Sequence, residues 1–261
     1  MQTLAAIIVL AVILVALFSL FIKRKTKPLG PFPTHHRLLL QHHVAFYKAL
    51  DDSQKKIFEN RVLLFLSKVR ITGVKTTVED IDRVLIASSA IIPIFGFPDW
   101  EYINLNEVLL YPDSFNHEHF SHDDRNTLGA VGSGAYQNIM ILSKQSLREG
   151  FINNTDKSNV GIHEFVHLID KTDGAVDGIP EFLLGKEYTL PWLGLIQREI
   201  ANINAQQSDI NPYGSSNQAE FLAVVSEYFF ERPDLLEERH PELYKMLAGM
   251  FRQHPKISKL E

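Results

Sequence analysis

Between Gly161 and Asp170 the chain sets Ile162, Phe165, Val166 and Ile169 at the i, i+3, i+4, i+7 spacing of one helix face. That stripe commits the segment to a helix lying against a core. His163, His167 and Asp170 fall on the neighbouring stripe, where a cleft can form. Residues four apart share a face, so both imidazoles of His163-Glu-Phe-Val-His167 can reach one ion. Glu164, one step along, is placed to act as a base on a water there. Gly174 offers a stop. A buried helix can also carry two hydrogen-bonded histidines with no metal; the helical phasing of the string favours the metal.

Composition narrows what such a metal is and who holds it. The 261 residues contain no cysteine, which removes disulfide scaffolds, thiolate zinc sites, iron–sulfur clusters and thiol nucleophiles. Imidazoles and carboxylates remain, a donor set suited to zinc. Of 26 basic residues, Lys23, Arg24, Lys25 and Lys27 fall in the first 27 positions, where no acid stands. The rest of the chain sets 22 bases against 31 acids. An acidic body excludes the basic stripe that nucleic acid requires.

Leu4 to Ile22 is uncharged and broken only by Ser19. Nineteen helical residues rise roughly 28 Å, the thickness of a hydrocarbon core. A cleaved signal peptide wants a basic start, a shorter apolar stretch and a small-x-small exit. Here nothing basic precedes the run, and Phe18, Leu20, Phe21 and Ile22 end it. The expectation is a retained single-pass helix over residues 1–22, with the following bases keeping the body on the cytoplasmic side. Residues 23–33, with Pro28, Gly30, Pro31 and Pro33, form a basic, proline-rich linker, and residues 34–261 form one domain.

Within that domain the pattern is helical from His35 to about Phe97. Asp51-Asp52-Ser53 caps one helix, and another begins near Thr77 with Glu79 in its first turn. Tyr102–Asn106, Val108–Tyr111 and Asn138–Leu142 read as strands. After Phe151 the chain is mainly helical again. The expected fold class is α+β, mainly helical halves around a small sheet. Asn138–Leu142 is either a sheet edge able to pair with an extended peptide or an ordinary internal strand. Gly129, Gly132 and Gly134 lack dinucleotide-fingerprint spacing and read as a flexible turn or lid.

A zinc site needs a third protein ligand. Asn217 to Phe230 is a second amphipathic helix, with Glu220 and Glu227 on one face and small Ala223 between them. Asn217-x-x-Glu220 also fits a capping box, which would tie the acid to its own helix start. Asp170 is an alternative ligand. Tyr213, in Asn211-Pro-Tyr-Gly214, suits a turn.

His163-Glu-Phe-Val-His167-Leu-Ile-Asp170, Tyr213 and Ala219-Glu220-Phe-Leu-Ala-Val-Val-Ser-Glu227-Tyr-Phe-Phe230 together resemble the Mlc titration factor A family of zinc-dependent peptidases. The stretch from Tyr213 to Phe221 is also similar to the metal-site region of the anthrax lethal factor protease domain. The resemblance implies a zincin-like metallopeptidase domain. His163, His167 and Glu220 would hold Zn2+, Glu164 would be the general base and Tyr213 a phenol assisting at the reacting centre. Asp170 and Glu227 would orient ligands or cap helices. It suggests aminopeptidase-type action on a peptide or protein substrate, here anchored in a bacterial inner membrane, whereas the family is usually soluble.

Two rivals accompany that reading. The family is named for binding a glucose-responsive repressor, so the chain could instead tether a transcriptional regulator at the membrane, with hydrolysis secondary. A non-peptide hydrolase could use the same ligands. His117, His119 and His122, and His35-His36 with His42-His43, are decoys of a second metal site; they read as solvated histidines.

Overall fold

The structure is a computed structural model that describes residues 30–113, 129–131, 138–153 and 156–255. The apolar run Leu4–Ile22 and the histidines at 117, 119 and 122 lie outside these residues. Among the described residues no helix is long and apolar enough to cross a membrane. Chain contacts divide the molecule into residues 1–31 and 32–261, and the elements below belong to the second unit.

That unit opens with α1 (Thr34–His43), α2 (Ala45–Ala49) and α3 (Asp52–Lys68). Asp51 caps α3 through the main-chain N–H groups of Ser53 and Gln54, and the Gln54 side chain returns the bond to Asp51 N–H. Strand β1 (Arg70–Gly73) follows, then α4 (Asp80–Ile94). Every residue of α4 from Val84 to Ile94 is buried, so this helix runs through the core. It starts three residues later than its sequence pattern suggests because Glu79 is the N-cap, with its own N–H bonded to Asp82.

Strands β2 (Glu107–Tyr111), β3 (Gly129–Val131) and β4 (Ile139–Ser143) complete one four-stranded sheet in the order β1-β2-β4-β3. β1, β2 and β4 are parallel, with Ile71 opposite Val108 and Val108 opposite Met140; β3 runs antiparallel to β4. The α+β expectation is met by this helix-rich domain around a small sheet. β4 is internal, the second of the two readings of Asn138–Leu142, and the edge position beside it belongs to β3. Gly129, expected with Gly132 and Gly134 in a flexible turn or lid, opens that edge strand, and the other two glycines lie outside the described residues. Tyr102–Asn106 is not a strand. The Tyr102 hydroxyl donates to the Ala90 carbonyl at 2.8 Å and its ring packs edge-on against Phe165, which pins the segment to helices. β1 replaces it as a strand.

The second half is helical: α5 (Lys144–Ile152), α6 (Val160–Asp170), α7 (Thr189–Asn204), α8 (Gln218–Glu231), α9 (Pro233–Arg239) and α10 (Pro241–Phe251). α6 packs against α4, α5, α8 and the β3–β4 side of the sheet. Gly161 permits the α4 approach, since a Cβ there would lie 2.1 Å from Ser89 Oγ.

Candidate metal centre

Ile162, Phe165, Val166 and Ile169 are all buried, as their spacing demands, and they seat α6 in the core. The same seating leaves His163 and His167 half-buried on the neighbouring stripe of the helix. Their Nε2 atoms lie 3.1 Å apart. α8 crosses beside them and brings Glu220 Oε2 to 3.0 Å from His163 Nε2 and 3.5 Å from His167 Nε2. Tetrahedral bonds of about 2.0–2.2 Å to one ion would set such atoms roughly 3.4 Å apart. The triangle therefore has the size of a zinc-type site.

The chemistry of the donors agrees with the geometry. Glu227 Oε1 takes the His163 Nδ1–H at 2.7 Å, so Nε2 is the nitrogen that faces the triangle's centre and would give its lone pair to a metal. Burial opposes charge on the His163 ring, yet the Glu227 and Glu220 carboxylates outweigh it and hold the ring's pKa well above the ordinary imidazole range. Glu220 is also penalised by burial, but the two imidazoles keep it well below the usual carboxylate range. Such a field asks for a cation. His163, His167 and Glu220 are thus the residues able to hold a metal.

Two helix caps aim these groups. Asn159 Oδ1 accepts the Ile162 N–H at 3.1 Å and starts α6. Asn217 Oδ1 accepts the Glu220 N–H at 2.9 Å and starts α8. Only the main-chain half of the suspected capping box forms, because the Glu220 carboxylate faces the imidazoles instead.

Glu164 is buried next to the triad, and desolvation raises its carboxyl pKa. Tyr213 is part of a tight turn at Pro212–Ser215, its N–H held by Asn211 Oδ1. Its exposed ring lies 6.1 Å from that of His163, centroid to centroid, so the turn and the approach to the site coexist. Asp170 does not join the triad. Its Oδ2 accepts the Gly178 N–H at 2.8 Å, and burial pushes its pKa up to about 6. Sequence reasoning passed over Asn159 and Glu231. Asn159 was detectable as the capping-type residue just before the helix, whereas Glu231 gave no local signal.

Among the described residues one other group has ligand atoms within 4.8 Å of one another: His35, His36 and Asp80. His42 and His43 are not part of it. His35 and Asp80 are exposed, and all three residues lie in the first turns of α1 and α4, where the helix dipoles disfavour a cation. This group reads as a histidine–carboxylate contact at the surface, with His35 solvated as expected but His36 buried, because its ring packs against Phe32.

The family model described as glucose-regulated metallo-peptidase M90 matches residues 21–252. A protein of Synechocystis sp., described as the uncharacterized protein slr2042, is 29% identical over 240 residues, covering 87% of each chain. Mlc titration factor A of Pectobacterium atrosepticum is 30% identical over 190 residues, 67% of this chain and 70% of that one. Mlc titration factor A of Yersinia pestis is 32% identical over 164 residues, 58% and 59% of the two chains. The match spans the triad, Glu164 and Tyr213 alike, and the chain belongs to the glucose-regulated metallo-peptidase M90 family, with the Mlc titration factors A among its relatives.

Proposed function

We propose that this chain is a zinc-dependent peptidase of aminopeptidase type, carried at a membrane by its Leu4–Ile22 run with the body on the cytoplasmic side. The observation that supports hydrolysis is the meeting of the His163–His167–Glu220 triangle with a buried carboxyl, Glu164, whose pKa is raised. Zinc held by the triad would supply Lewis acidity toward the scissile carbonyl. Glu164 takes the proton of the attacking water and gives it to the departing amine, a task suited to a carboxyl shifted toward neutrality. Tyr213 donates its hydroxyl to the oxygen that becomes negative. Glu227 holds the His163 ring in the tautomer that ligation needs. β3, the antiparallel edge strand packed beside α6, offers main-chain groups to an extended peptide.

The purified full-length chain should contain about one zinc and release amino-terminal residues from short peptides. Glu164→Gln should keep the zinc and lose hydrolysis by roughly two to four orders of magnitude, the scale of a general base. A zinc-free parent, or an active Glu164→Gln, defeats the reading. Peptides blocked at the amino terminus separate aminopeptidase from endopeptidase action, and an ester panel tests the non-peptide alternative.

A second reading is favoured by the names of the relatives, which describe titration of the regulator Mlc. Here the chain would sequester a transcriptional regulator at the membrane. Glu164→Gln discriminates: regulator control in cells that survives this change makes hydrolysis dispensable to it.

A further inference from the structure

Asn159 is 1% exposed, and each of its polar groups is engaged. Its main-chain N–H donates to Glu227 Oε2 at 2.5 Å, and its carbonyl accepts the His163 N–H at 2.9 Å. Its Nδ2 donates both to the Gly150 carbonyl at 3.0 Å and to Glu231 Oε1 at 2.9 Å, while Oδ1 caps α6. One residue, by its side chain and its main-chain N–H, therefore ties α5, the start of α6 and the last two turns of α8 together. Glu227 and Glu231 stand one turn apart on α8, and Asn159 grips both, the first by its main chain and the second by its carboxamide. The other oxygen of Glu227 is the one that holds His163. α8 is also the helix that delivers Glu220.

We propose that Asn159 is a positioning residue whose carboxamide, clamped on Glu231 and Gly150, sets the register of α8 against α6 and so the metal affinity of the His163–His167–Glu220 triad. The inference rests on the metal reading above and adds to it a residue that touches neither metal nor substrate. A carboxamide is required because two donors and one acceptor are needed in one plane. Asn159→Asp keeps the helix cap but turns an acceptor toward the Gly150 carbonyl and loses the amide donor to Glu231. Asn159→Ser keeps a cap oxygen and cannot reach Glu231 or Gly150. Glu231→Gln retains a carbonyl for Nδ2.

The test is zinc affinity by chelator competition on the full chain, with the absorption spectrum of the cobalt-substituted protein and the Tm measured alongside. Asn159→Asp and Asn159→Ser should each weaken zinc binding by about 10- to 100-fold, the usual effect of losing a ligand's outer support, and alter the cobalt spectrum. Glu231→Gln should stay within about threefold of the parent. Glu59→Gln, in the separate buried Arg37–Tyr47 network, provides a destabilised control and should leave both metal readouts unchanged. Parent-like affinity in both Asn159 variants overturns the proposal. So does a loss no larger than that of Glu59→Gln at equal loss of Tm. A parent that binds no zinc removes the metal reading itself, a result distinct from either.

Discussion

Glu227 on α8 accepts the Nδ1–H of His163 on α6 at 2.7 Å, so one helix decides which nitrogen the other presents to the triad. Both Glu227 oxygens are used, the second by the Asn159 N–H. Glu227→Gln can keep only one of these bonds, since its amide group would turn a donor toward a donor. Zinc affinity should fall by about 10- to 100-fold while the fold persists. Chelator competition measures this directly, and an unchanged affinity would show that the His163 tautomer is set by something else.

Glu220 separates metal binding from folding. Its carboxylate is not needed for the cap of α8, which Asn217 forms through the Glu220 main chain. Glu220→Ala should therefore strip zinc from the chain while leaving it folded with the α8 cap intact, at a metal-free cost of about 1–3 kcal/mol for the lost bonds to the two imidazoles. Metal analysis and thermal melts in excess chelator check the two halves. Full zinc retention would move the ligand to another acid, Asp170 or Glu227.

The legible parts of this molecule are those whose signal is local. The α6 stripe and the four-residue histidine spacing are periodic within one helix, and the Asp51 cap sits beside the helix it starts. β1 escaped because four residues, Arg70–Gly73, carry too little alternation to mark a strand, and its parallel partner lies beyond a whole helix. Tyr102–Asn106 alternates like a strand, but the Tyr102 ring and hydroxyl are taken by Phe165 and Ala90, partners that no local pattern reveals.

The site divides in the same way. His163, Glu164 and His167 could be proposed from spacing alone. Glu220 had two local readings, cap or ligand, and family resemblance chose the one for which the crossing of α6 and α8 supplies the geometry. The grip of Asn159 on Glu231 exists only where α5, α6 and α8 meet, 72 residues apart in sequence.

Gly178 ties the loop after α6 to the start of α8. Its N–H is held by Asp170, its carbonyl by the Trp192 indole at 2.7 Å, and its φ is +76°. A Cβ there would stand 2.3 Å from the Gln218 carbonyl oxygen, two residues from Glu220. Gly178→Ala should cost about 2–4 kcal/mol, from backbone strain plus the clash, and weaken zinc binding. Gly174→Ala is the comparison: it shares a positive φ of +101° but has open space around the new methyl group, so about 1 kcal/mol is expected with metal affinity unchanged. Denaturant melts and zinc titration of both variants decide it. Equal costs would mean that the α8 contact carries no weight.

Burial pushes the Glu231 carboxyl up to about 8, against the help of Asn159 and with further repulsion from Asp156 and Glu227. In the unfolded chain this group titrates at about 4.3. Between those values the folded protein keeps a proton that the unfolded chain releases, so this group's contribution is fully present below about pH 4.3 and fades as pH rises through 8. Glu231→Gln cannot ionise and should escape that decline. Measured in excess chelator, to hold metal occupancy constant, the variant should gain on the parent by up to about 4 kcal/mol between pH 5 and pH 8.5. That corresponds to a relative Tm gain of up to roughly 8–16 °C for a domain of this size. A parent–variant difference that stays flat across this range would place the Glu231 carboxyl at an ordinary pKa.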